Sequence, residues 1–348
     1  MNRAATINDV AREAGVSRSA VSKVIRDAYG VSDEMRARVN AAIGRLDYRP
    51  RVAARAMRGV TDTLGIELPD IGNPFFDKVV TGAMAALSGT GCQLIVAPAS
   101  AGAEEGLQAL RTLADREVDG IVAISPLVAP TWLEDLSGRM PVVMLGRHDR
   151  SIGYDTVTGD DAEGTRLVMD HLLSLGHERI AHLTRSEEVT APGSGTPHAV
   201  RLAVYEEHMR RRGLTASVVR TGRSEAEARE AVARLLGGPR RPTAIFAGND
   251  TLALGALGAV GDAGLSTREI SVVGYDDVEI ASHPAISLTS VDQAGVEMGR
   301  RAVELLLSRR AGRTDAVHLA VMPVLRRRRS SGRRIGGHGE LVDRSTDG

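Results

Sequence analysis

A single cysteine, Cys92, rules out an internal disulfide and a cysteine-based zinc site, and it suits a reducing compartment. No apolar run approaches the roughly 18 residues of a membrane-spanning helix, and residues 1–30 carry charges throughout without the apolar stretch of a secretory leader. The chain is therefore expected in the cytoplasm and without a membrane partner. Signatures of catalysis are missing as well. There is no glycine-rich phosphate loop after a strand, no metal-ligand cluster, no serine nucleophile elbow and no Cys–His constellation. His171, His177 and His182 straddle a helix–strand break at spacings that suit packing better than ligation. No metal, cofactor or enzymatic activity is expected. Aromatic residues make up only 3% of the chain, and two of its three phenylalanines are the adjacent pair Phe75 and Phe76.

What is present divides the chain in two. Its 348 residues exceed one small core and suit a small domain followed by a larger, bilobed one. A formal net charge of zero hides segregation: residues 1–60 carry twelve Lys and Arg against six Asp and Glu, residues 326–348 carry seven against three, and the body between them is acidic. A basic head on an acidic body points to a polyanion met by the head alone.

Local signals in the head specify short helices. Thr6-Ile-Asn-Asp9 reads as a capping box opening a helix over about Ile7–Ala14, with Val10, Ala11 and Ala14 inward. Gly15 supplies a tight turn. Ser17 caps a second helix to about Arg26, whose Ala20, Val21, Val24 and Ile25 recur at helical spacing. A third helix opens at Ser32 and turns Val39, Ala42, Ile43 and Leu46 inward. Helix, glycine turn and second helix form the geometry that places one helix in a DNA major groove while its neighbour crosses the backbone. Arg18, Ser19 and Lys23 then fall near base edges, and Ser17, Ser22, Arg26 and Ser32 suit phosphates, with Thr6 at the start of the supporting helix. The basic, alanine-rich stretch Tyr48–Arg58 is a candidate hinge.

From residue 61 apolar strands alternate with amphipathic helices, twice over, which specifies parallel α/β lobes. Ligands in such folds sit at the carboxyl ends of the strands, and two lobes leave a cleft between them. Asn73, Phe75 and Phe76 follow the first strand, Arg147 the fourth, Asn249-Asp250 the strand Ala244–Ala247, and Asp276-Asp277 the strand ending at Tyr275. Carboxylates, an amide and a guanidinium converging there can bond the hydroxyls of a sugar or the edges of a nucleobase.

Taken together, Ile7-Asn-Asp-Val-Ala-Arg-Glu-Ala-Gly-Val-Ser17 and Val21-Ser-Lys-Val24 make the chain resemble the lactose-repressor/galactose-repressor family of bacterial transcription factors, over about residues 5–330. The resemblance implies an all-α helix-turn-helix domain (1–47) and a hinge (48–60). A two-lobed α/β domain of periplasmic-binding-protein type follows (61–325), with lobes of about 61–158 and 292–320, and of 159–291 and 321–328. A disordered basic tail (329–348) ends the chain. It implies a homodimer on roughly palindromic double-stranded operator DNA, controlled by a small polar effector, with a sugar favoured over a nucleobase or nucleoside. In the hinge motif Arg51 stands where Asn is usual and Met57 where Leu inserts at the operator centre, beside a matching Ala54-Arg55. Asn73, Phe75, Phe76, Arg201, Asn249 and Asp276 match the family's effector ligands. Two stretches depart from the pattern: Thr221-Gly-Arg223-Ser lacks a stacking ring, and the loop Arg185–Pro197 replaces a short glycine turn. No leucine heptad is present to join two dimers.

Overall fold

The computed structural model describes residues 5–25, 28–48, 60–99, 102–124 and 127–334. Two compact units make up the chain, residues 1–61 and 62–348.

The first unit holds α1 (Ile7–Ala14), α2 (Arg18–Ile25) and α3 (Asp33–Arg45). The expected capping box forms, with Thr6 and Asp9 satisfying each other's backbone amides. Gly15 ends α1 at φ +63°, a left-handed turn that a side chain would strain. Val10, Ala11, Ala14, Val21, Val24, Val39 and Ala42 close the core, as their spacing predicts, and Tyr48 adds a ring to it.

The second unit contains two six-stranded sheets. In chain order its elements are β1 (Thr63–Leu68), α4 (Phe75–Leu87), β2 (Gln93–Pro98), α5 (Ala103–Asp115), β3 (Ile121–Ala123), α6 (Pro130–Ser137), β4 (Val142–Leu145) and β5 (Asp155–Gly159). Then come α7 (Asp161–Ser174), β6 (Ile180–Thr184), α8 (Glu187–Thr190), α9 (Pro197–Arg211), β7 (Ser217–Arg220), α10 (Glu225–Leu236), β8 (Ala244–Ala247), α11 (Asp250–Asp262) and β9 (Ser271–Tyr275). The chain ends with β10 (Thr289–Asp292), α12 (Gly295–Arg310), β11 (His318–Val321) and β12 (Val324–Arg326). The sheets run β11-β5-β4-β3-β1-β2 and β12-β10-β9-β8-β6-β7, so the chain passes from one to the other after β5, after β10 and between β11 and β12. All pairings are parallel except β12 with β10, where the final strand returns antiparallel along the second sheet.

Both faces of each sheet are covered. Helices α4 and α12 bury one face of the first sheet and α5 and α6 the other; α10 with α11, and α7 with α9, do the same for the second. Two-sided burial explains why the central strands read as continuous apolar runs rather than alternating ones.

The segment after the last strand differs from the disordered tail expected from residue 329. Ser330 is buried, donating to the Val272 carbonyl at 2.6 Å and accepting from the Thr289 amide at 2.7 Å. His171 and His177 reach Ser331 and the Gly332 carbonyl. Serine hydroxyls let this polar stretch satisfy otherwise bare strand ends, so residues 329–334 belong to the second lobe. Residues 335–348 lie outside the described residues. No helix among the described residues is long and apolar enough to cross a membrane.

Candidate functional sites

In the first unit, packing divides α2 into two faces. Val21 and Val24 are buried, while Arg18, Ser19 and Lys23 are exposed on the opposite side with Ser17 before them. Ser17 Oγ accepts from the Ala20 amide at 3.1 Å, an N-cap that keeps the start of α2 formed with its side chain in solvent. Ser32 caps α3 through the Met35 amide, and Ser22 is half-buried. Tyr29, fully exposed between α2 and α3, was not anticipated, although aromatic scarcity makes an exposed ring conspicuous. The expected contacts Arg26, Arg51, Ala54 and Met57 lie outside the described residues.

In the second unit a cavity of about 480 Å³ opens where strand ends of both sheets meet, lined from both lobes. The first lobe contributes Asn73, Phe75 and Phe76 at the start of α4. Asn73 Oδ1 caps the turn by accepting from the Phe75 amide at 3.0 Å, and the rings meet edge to face at 5.6 Å. Phe75 is largely sunk in the core of its lobe, so Phe76 presents more surface.

The second lobe contributes the charged groups. Arg201, on α9, is buried, stacks 3.6 Å over the Tyr275 ring and donates to Asp161 at 2.7 Å and to the Gly248 carbonyl. Asn249 caps α11 through the Leu252 amide at 2.9 Å. Asp276 accepts from Gln293 and occupies a positive φ of 116°, strained backbone at the turn after β9. Burial raises the Asp276 carboxyl to about 7, against the opposing pull of Arg201, Gln293, Asn73 and Lys78.

A further layer holds this turn. Asp250 is fully buried behind the cavity, accepting from Ser290 Oγ at 2.6 Å and from the Val278 amide at 2.9 Å. Lys78, on α4 of the first lobe, donates to the carbonyls of Asp276 and Asp277 in the second, fastening the lobes at the same point.

One expected ligand is not there. Arg147 does not line the cavity, because its guanidinium turns away into the first lobe, where it bonds Asp149 at 2.7 Å, Tyr154 at 2.9 Å and the Val128 carbonyl. Its strand-end position is shared by the wall residue Gly146. Conversely, Arg185, His198, Arg223 and Gln293 line the cavity without having been expected as ligands, although Arg185 and Arg223 fall in the two stretches that depart from the family pattern. Arg185 immediately follows β6, so the strand-end rule that selected Asn249 and Asp276 also points to it. His182 is a core residue, stacked on Phe246 and bonded to that residue's carbonyl. Among the described residues no His, Cys, Asp and Glu group is placed to hold a metal ion.

A helix-turn-helix unit joined to a two-lobed sensor, with polar side chains gathered at the lobes' strand ends, defines a ligand-sensing DNA-binding regulator. Comparison with known proteins identifies its family. Residues 6–51 match the model for bacterial regulatory proteins of the lacI family, and residues 169–331 match a periplasmic binding protein-like domain. The ribose operon repressor of Escherichia coli K12 is 32% identical over 335 residues, covering 94% of this chain and all of the relative. The transcriptional repressor PurR of Vibrio atlanticus is 31% identical over 312 residues, covering 88% of this chain and 92% of the relative. A crystal structure of the lac repressor dimer bound to operator and the anti-inducer ONPF superposes with a TM-score of 0.79 at 27% identity, covering 95% of this chain and all of that one. The chain belongs to the lacI family of bacterial regulatory proteins: it is a DNA-binding regulator of transcription and not an enzyme.

Proposed function

We propose that this regulator represses genes of carbohydrate metabolism or transport, binds a roughly palindromic operator in the cytoplasmic nucleoid, and is controlled by a small polyhydroxylated effector. The observation that carries the reading is the convergence of Arg201, Asn249, Asp276 and Gln293 on one cavity against Phe76. Such a wall supplies paired donors and acceptors for vicinal hydroxyls and one apolar face for a ring. The ribose operon repressor among its relatives supports a sugar as the class.

On DNA, Arg18, Ser19 and Lys23 read base edges, while Ser17, Ser22, Ser32 and Tyr29 approach the sugar-phosphate backbone. Arg51 and Met57 act at the operator centre. Effector binding changes the angle between the lobes and, through the dimer, the spacing of the two DNA-binding units.

Selection of binding sites from random duplexes tests the first half. A palindromic consensus is expected, with relaxed half-sites for Lys23→Ala and a relaxed centre for Met57→Ala. A consensus without two-fold symmetry would refute the operator reading.

A further inference from the structure

We infer that the effector is an acid: a sugar or polyol bearing a phosphate ester or a carboxylate, whose anionic end is received by Arg185 and Arg223 of the second lobe. The inference rests on the effector-cavity reading above and narrows it. Both arginines come from the stretches that depart from the family pattern, and each follows a strand. Strands β6 and β7 pair side by side and parallel, with Thr184 opposite Arg220, so the chain leaves both in the same direction. The two departures therefore end at one place, and each delivers a guanidinium to the cavity wall.

Neither guanidinium is held by a hydrogen bond or an ion pair among the described residues, although Asp70 and Glu227 lie within electrostatic reach of Arg185. Arg185 Nε is buried without a hydrogen-bond partner, and Arg223 has no side-chain acceptor among the described residues. Burial lowers the pKa of Arg185 from its ordinary value, with Arg223 adding to that effect and Asp70 and Glu227 opposing it. His198 beside them, kept neutral by burial and by Arg201 and Arg185, holds a second buried atom without a partner, Nδ1.

Most of the nearby carboxylates are engaged by other groups, while Asp70 and Glu225 share the cavity wall with the arginines. Asp161 is bound by Arg201 and His148, and Asp276 by Gln293. Asp70 accepts from the Gly72 amide at 2.9 Å within its own turn, and Glu227 closes the Ser224 cap. Glu225 is exposed at the first turn of α10. A guanidinium withdrawn from water without an acceptor is costly. Arg185, half-buried with its Nε out of water and lacking an acceptor, carries that cost, whereas Arg223 stands exposed at the cavity wall; the planar fork of each fits phosphate or carboxylate with two parallel hydrogen bonds. A neutral sugar would leave both forks with hydroxyl oxygens alone.

Calorimetric titration of the full-length protein with inorganic phosphate is the first test. Wild type is expected to bind it, Arg185→Ala and Arg223→Ala each to weaken binding by about tenfold or more, the scale of one lost charge-assisted hydrogen bond, and Arg185→Lys to restore part of the loss. No binding by wild type, or equal affinity in wild type and both alanine variants, overturns the inference. If Arg185 serves only to latch onto Asp70, then Asp70→Asn and Arg185→Ala will shift the thermal midpoint alike and leave phosphate binding untouched, which also overturns it.

Titration with glucose, gluconate and glucose 6-phosphate then separates the two sources of charge. Tighter binding of gluconate assigns a carboxylate, and tighter binding of glucose 6-phosphate a phosphate ester. Glucose binding as tightly as either acid sinks the acidic class. Operator binding measured on the same samples keeps the readings apart: intact operator binding with failed anion binding removes only the acidic effector, whereas a wild type that binds no operator removes the regulator reading itself.

Discussion

Asp276 lies where two physical demands oppose each other. In the proposed role its carboxylate accepts hydrogen bonds from an effector's hydroxyls most strongly when ionised, yet burial raises it to about 7 despite Arg201 and Gln293. Effector affinity is therefore expected to climb between about pH 5.5 and about pH 8 and to level off above, as the carboxylate ionises. The stability consequence has the opposite sign. Between the ordinary carboxylate value of 3.8 and about 7 the folded protein holds a proton that the unfolded chain releases, so this contribution is lost as pH rises through that window. Asp276→Asn should flatten both slopes, which calorimetric titration and thermal unfolding across the same buffers would show; an unchanged affinity profile in the variant would assign the titration elsewhere. At this scale the sequence was informative about position and silent about direction. Asn249, Asp276 and Arg147 all sit at strand ends, but the surroundings of Arg147 include Asp149, Tyr154 and a bare carbonyl, and these capture its guanidinium. Asp149 and Tyr154 lie only two and seven residues on, so the partners were present in the local sequence, but which way the guanidinium turns is set by how that loop folds against the strand end.

Elements whose ends are written in neighbouring residues were the most legible. The Thr6–Asp9 box and the Ser32 cap form as local spacing dictates, and the Ser224–Glu227 box, not read beforehand, follows the same rule. Strands β5, β10 and β11 were not anticipated, since polar runs such as Asp155-Thr-Val-Thr-Gly159 owe their burial to the sheet around them. Helix α12 shows a packing requirement that spacing alone hides. It lies so close to α4 that a β-carbon on Gly82 would fall 1.8 Å from the Val296 carbonyl oxygen, and one on Gly299 would fall 1.9 Å from that of Val79. Backbone cannot yield as a flexible side chain does. Gly82→Ala and Gly299→Ala should each destabilise the sensor by about 1–3 kcal/mol, although alanine is the better helix former by about 1 kcal/mol. Thermal unfolding would measure this, and a rise in midpoint for either variant would contradict the close approach.

For the whole molecule, the proposed switch requires that two sites share free energy across a dimer. The sensor leaves apolar surface suited to self-association: Met84 on α4 is 60% exposed, and Val96 and Ile95 on the edge strand β2 are 42% and 38% exposed. Edge strands left open in this way invite a second copy, and a charge there should prevent it. Val96→Asp is thus expected to yield monomers by sedimentation, to retain effector binding within the lobes, and to lose most operator affinity, because each half-site is then held singly. The wild-type dimer carries the stricter test. If effector and operator select different lobe angles, the factor by which saturating effector changes operator affinity must equal the factor by which saturating operator changes effector affinity. Such factors typically fall between about 5-fold and about 150-fold, within reach of fluorescence anisotropy on a labelled operator and calorimetry on the preformed complex. Reciprocal factors of equal size would establish the coupling and give its sign, distinguishing an inducer from a corepressor. A factor of one in both directions would leave a DNA-binding unit and a binding cavity on one chain with no switch between them. In the monomeric Val96→Asp variant the factor should shrink towards one, since the lobe angle can be felt by DNA only through the spacing of two paired readers.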